Sequence, residues 1–150
     1  MVELNFSSLV ILFAVGAVIV FLIMYKSEKK FVTVEINRTK VNAEIADNFA
    51  KKSMGLMFRE KLGKNEGMLF VFDKEDYYNF WMANVSFPLD FIWIGKNKTI
   101  VDITENAQPC KIICSSFTSD KKAQYVLEVN AGFIEENKIR ISNKADFKIN

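Results

Sequence analysis

Phe91-Ile92-Trp93-Ile94, Gly95-Lys96-Asn97-Lys98, then Thr99-Ile100-Val101-Asp102-Ile103-Thr104 is the run that decides the fold. Two stretches rich in β-branched and aromatic residues flank a polar, glycine-led turn, the pattern of a β-hairpin. Working outward, the same signals recur. Phe31 to Ile36 alternates apolar and polar residues, and Val41, Ala43 and Ile45 resume the alternation after a break near Asn37–Lys40. Met68 to Phe72, Tyr77 to Asn84, Tyr125 to Val129 and Ala145 to Ile149 read as further strands, with Pro88 placed to start an element or sit on an edge. One short helix is expected where Asp47 or Asn48 can cap Phe49, Ala50, Ser53 and Met54 and Gly55 can end the run. A single turn is expected over 131–137. Many short strands between turn signals predict a mainly β domain, an antiparallel sandwich or barrel.

The first 30 residues differ from the rest. No charge occurs between Leu4 and Tyr25, and no polar face recurs at helical spacing. A helix of that length spans a hydrocarbon core of ~30 Å. The start Met1-Val2-Glu3 carries no Lys or Arg, and no small-residue cleavage site follows Phe21-Leu22-Ile23-Met24-Tyr25. The expected organisation is a retained transmembrane anchor over 1–25, a charged linker over 26–30 and a single β-rich domain over 31–150. The chain is 150 residues long with a net charge of +2, and its charges are almost balanced beyond the linker. No basic cluster stands out, so nucleic acid is not an expected partner.

The chain holds no histidine, which excludes His-dependent triads, His-ligated metals and imidazole proton transfer. No cofactor or metal site is read. Cys110 and Cys114 cannot complete a tetrahedral zinc site alone. They read first as a structural disulfide, with a reduced pair as the alternative. Met54, Met57, Met68 and Met82 lie among aromatic residues and read as core packing rather than a thioether copper site.

Arg59, Asp90 and Glu128 are single charges among apolar neighbours. The plain reading pairs Arg59 with a carboxylate that fixes the fold. A sharper one gathers Arg59, Asn84, Asp90 and Glu128 around a pocket rimmed by Trp81, suited to sugars or small polar ligands. A third uses Asp90 and Glu128 for acid–base hydrolysis. Asn-x-Ser/Thr sequons begin at Asn5, Asn37, Asn84 and Asn97. Asn84 is expected to be packed, leaving Asn37 and Asn97 as glycosylation candidates if the domain faces outward.

Gly55-Leu56-Met57-Phe58-Arg59, Gly67-Met68-Leu69-Phe70-Val71-Phe72, Phe80-Trp81-Met82-Ala83-Asn84 with Pro88-Leu89-Asp90, Pro109-Cys110, Cys114, and Val126 to Gly132 occur in that order. Together they resemble the domain of unknown function 192 family, over about Val41 to Ile149. The resemblance implies a compact, jelly-roll-like β fold with one short helix, in proteins often exported or tethered behind an N-terminal hydrophobic segment. It implies no activity and no catalytic residues.

Lys26, Lys29 and Lys30 after the apolar segment favour a cytoplasmic domain, whereas the cysteine pair, the sequons and the resemblance favour an extracytoplasmic one. The outward orientation is the expectation. The expected function is then non-catalytic: a membrane-tethered domain that binds a small ligand, a cell-surface polymer or an envelope protein. The alternative is a carboxylate-based hydrolase acting on envelope material.

Overall fold

The computed structural model describes residues 10–17, 29–111 and 114–149. Residues 10–17 form a helix, α1, whose apolar side chains are exposed. The rest of the expected Leu4–Tyr25 anchor lies outside the described residues. Among the described residues no helix is long and apolar enough to cross a membrane.

The elements that follow are β1 (Phe31–Ile36), β2 (Thr39–Ala46), α2 (Phe49–Met54), β3 (Glu66–Asp76), β4 (Asn79–Trp81) and β5 (Leu89–Ile94). β6 (Ile100–Ala107), β7 (Ser116–Thr118), β8 (Ala123–Asn130), α3 (Phe133–Glu136) and β9 (Ala145–Asp146) complete the chain. Seven strands form one curled sheet in the order β6-β5-β8-β3-β2-β1-β9, and β4 pairs with β7 apart from it. The expected hairpin is present, with β5 antiparallel to β6. β1 and β2 form a second hairpin across Asn37 and Arg38, both at positive φ, as a tight two-residue turn requires.

Three features depart from the sequence expectation. The sheet is mixed, because β2 and β3 run parallel. A parallel pair cannot be joined by a tight turn, so α2 and the segment 55–65 serve as the crossover. The architecture is one curled sheet with a small second ribbon rather than two facing antiparallel sheets. The helices number more than one, since α3 also forms.

The sheet is buried on both faces. Val34, Ala43, Leu69, Ile92, Leu127 and Val129 belong to one core cluster, whereas Ala46, Met68, Phe70, Phe91, Trp93 and Val126 belong to the other. Adjacent residues of a strand point to opposite faces, so the two clusters lie on either side of the sheet. This explains why all six residues of β5 are buried and why Phe91-Ile92-Trp93-Ile94 shows no alternation.

Candidate functional site

Strand register brings one row of side chains across the second face. Glu44 on β2 pairs with Met68 on β3, Met68 with Glu128 on β8, and Glu128 with Phe91 on β5. Two carboxylates therefore occupy a surface otherwise made of Met68, Phe70, Phe91 and Val126. Both are buried.

Arg59 resolves one of them. Its Nη2 lies 2.6 Å from Glu44 Oε2. Lys29 approaches the same oxygen at 3.6 Å from the surface. Glu128 has no such partner: its Oε2 is buried without a hydrogen bond. Burial pushes its carboxyl up to about 8, and the nearby positive charge of Arg59 only partly offsets that. Glu128 is therefore a neutral acid at pH 7.

Above Glu128 lies a cavity of about 270 Å³. α2 roofs it with Phe49, Lys52 and Ser53, and Met57 follows from the connecting loop. The helix is held by Asn48, whose side chain accepts from the Lys51 amide at 2.9 Å, and it ends at Gly55 with φ +50, a backbone conformation that suits glycine. Phe70, Phe72, Tyr78, Phe80 and Trp81 supply the aromatic wall. Phe72 and Tyr78 stack with ring centroids 3.5 Å apart, and Phe80 meets Phe70 edge-on at 4.8 Å. Alternation along β4 buries Phe80 and leaves Trp81 50% exposed at the mouth. Phe49 is 86% exposed beside it.

The structure divides the expected site residues. Trp81 and Glu128 line the cavity. Arg59 pairs with Glu44 instead of lining it. Asn84 lines a separate surface depression with Phe58, Ser86 and Cys110. It is exposed rather than packed, at φ +57, and its carbonyl accepts from the Phe58 amide at 2.9 Å. Asp90 is fully buried and structural: it accepts from Asn106 N at 2.8 Å and from Ile134 N at 3.0 Å. It pairs in register with Val129, whereas Glu128 pairs with Phe91. Asp90 and Glu128 thus project from opposite faces of the sheet, and no shared cleft joins them.

Cys110 and Cys114 are joined, with their Cα atoms 5.5 Å apart, within the range a disulfide spans. Asn37 Nδ2 donates to Asn137 O, Lys138 O and Asn143 Oδ1. A glycan on that nitrogen would displace these bonds. Asn97 is exposed in the β5–β6 turn, where its Oδ1 accepts from Thr99 N at 3.0 Å. Among the described residues no cluster of acidic or cysteine side chains is arranged to hold a metal.

The strings noted in the sequence, from Gly55 to Gly132, fall within one family match. Residues 32–147 match DUF192, described as Uncharacterized ACR. The chain belongs to the DUF192 family. A UPF0127 protein of Pyrococcus abyssi is 29% identical over 109 residues, covering 69% of this chain and 84% of that protein. One from Pyrococcus furiosus is 26% identical over 110 residues, covering 72% and 88%. Two crystal structures are similar in fold to this chain. A protein of unknown function from Novosphingobium aromaticivorans has a TM-score of 0.71 at 32% identity, covering 79% of this chain and 84% of that one. A Sinorhizobium meliloti protein, described only as a candidate transcription regulator, has a TM-score of 0.72 at 28% identity, covering 80% and 94%.

Sequence reading missed Glu44 and the aromatic roof. Glu44 lies between Ala43 and Ile45 and so falls on the face that alternation assigns to solvent. Its burial became visible only with a covering on that face.

Proposed function

We propose that this DUF192 domain is a binding module that takes a small ligand with an apolar body into the cavity beneath α2. One observation carries this: an apolar cavity is lined by Glu128, a buried acid whose Oε2 has no hydrogen-bond partner. Pockets of this build, apolar walls with few polar groups, suit small molecules. An unpaired buried acceptor costs about 1–3 kcal/mol that a ligand donor can recover.

Tethering through Leu4–Tyr25, with the domain outside the cytoplasm, completes the reading. Lys29 meets Glu44 at 3.6 Å and Lys30 meets Asp47 at 3.9 Å, so the chain enters the domain beside α2. An anchor at that point would hold the cavity mouth near the bilayer, within reach of envelope ligands. The hydrolase alternative has less support. Glu128 suits a general acid, but Asp90 lies across the sheet and is engaged by two backbone amides.

Calorimetry on the full chain in amphipol tests the pocket with three probes of one shape: benzyl alcohol, benzylammonium and benzoate. Saturable binding of at least one, lost in Ser53→Phe at the mouth, is expected. No binding of any of the three overturns the reading.

A further inference from the structure

The cavity has a preferred charge, and this inference rests on the binding reading above. Its acidic floor and the cations around it are already partly matched. Glu44 and Arg59 form a pair at 2.6 Å. Lys51 lies 4.0 Å from Asp47. Lys52 Nζ donates to Val71 O at 3.0 Å. Tyr78 donates its hydroxyl to Lys74 O at 2.8 Å. β3 and β5 present Met68, Phe70 and Phe91 to Glu128, none of which ionises. Glu128 is left as the acid whose Oε2 has no partner.

The aromatic wall adds a second, independent preference. Lys52 Nζ sits 5.0 Å from the Phe72 ring centroid, so this cluster already receives an ammonium group on one face. Trp81, half-exposed at the mouth, offers another electron-rich face. An anionic ligand would meet the carboxyl of Glu128, while the cations nearby are already engaged, Lys52 of the roof by Val71 O and Arg59 by Glu44. A neutral alcohol would satisfy Oε2 and bury the same body but would lack the charge-assisted bond.

We propose that the ligand is a primary amine with an apolar body, whose ammonium group hydrogen-bonds to Glu128 Oε2 while its body lies among the rings of Phe70, Phe80 and Trp81. Binding is coupled to a proton. The ammonium arrives protonated, the neutral Glu128 carboxyl loses its proton to solvent, and the product is a buried carboxylate–ammonium pair. No bond other than that O–H is broken. The pair is a charge-assisted one in a desolvated site, stronger than its neutral equivalent.

The same calorimetry tests this. Benzylammonium should bind at least tenfold more tightly than benzyl alcohol, and benzoate should not bind. At about pH 6.5 the heat in buffers of different ionisation enthalpy should report close to one proton released per ligand. Affinity should rise nearly tenfold per pH unit between about 5.5 and 7.5, as proton linkage requires. Glu128→Gln should remove both the preference for the amine and the proton release. Equal affinity for the alcohol and the amine, or benzylammonium binding without proton release, overturns the amine assignment and leaves the pocket reading standing. Benzoate binding most tightly does the same. Failure of all three probes overturns both.

Discussion

Glu44 and Glu128 share one cross-strand row with Met68 between them, yet Arg59 pairs with Glu44 and leaves Glu128 Oε2 without a partner. One buried acid is thereby fixed as structure and the other is left available. The two should respond differently to substitution and to pH.

For Glu128 the sign follows from its raised carboxyl. It titrates at 4.5 in its ordinary setting and at about 8 in the fold. Between those values the folded state holds a proton that the unfolded state has released, so this group makes stability fall as pH rises through that window. Below it the effect is absent, and above it the loss is complete. Its upper bound is on the order of 5 kcal/mol. Glu128→Gln should flatten the decline in denaturant-measured stability between about pH 5 and 9. Parallel profiles for the two proteins would contradict the assignment.

Arg59→Ala strips the guanidinium from Glu44, whose side chain is 7% exposed. Lys29, 3.6 Å from the same oxygen at the surface, compensates only in part, so a loss of about 1–3 kcal/mol is expected. The double variant Glu44→Leu/Arg59→Met should recover most of that. Additive losses in a double-mutant cycle would argue against a coupled pair.

Gly67 lies under the same row. A Cβ there would sit 2.7 Å from Glu128 O and 2.9 Å from Val41 Cγ1. Backbone cannot yield as a side-chain tip can, so Gly67→Ala should destabilise by about 1–3 kcal/mol or more. Unchanged thermal unfolding would show that β3 and β8 are less closely apposed.

Asp90→Asn leaves one oxygen where two backbone amides, from Asn106 and Ile134, now bond to a carboxylate. A loss of about 2 kcal/mol is expected, with benzylammonium affinity unchanged. A hydrolase using Asp90 would instead lose turnover at constant stability.

Opening the Cys110–Cys114 link, by reductant or by Cys110→Ser, should cost about 2 kcal/mol on the chain-entropy view of so short a loop. Thermal unfolding with and without reductant measures it. An unchanged midpoint would show that the link adds no stability.

The individual elements were largely legible. The β5–β6 hairpin, a short helix capped at Asp47 or Asn48 and ending at Gly55, and the strand at Phe31–Ile36 all follow from local patterns, and all are present, with Asn48 as the cap. The parallel β2–β3 pair was not legible, because strand order depends on which edges meet after a crossover and local alternation carries no such information. The grouping of Trp81 with Arg59, Asn84 and Asp90 failed for a related reason. Nearness in sequence and a shared lack of apolar character do not say on which face of a sheet a residue stands.

Residue type and spacing over a few positions were enough to establish the β character of the domain, its short capped helix and the absence of histidine chemistry. The folded chain alone reveals that Glu44 and Glu128 share a face while Asp90 lies on the other, that Arg59 serves Glu44, and that α2 roofs a cavity over Glu128. Those relations join residues up to 84 positions apart. They depend on strand register and on what covers each face of the sheet, which no local pattern encodes.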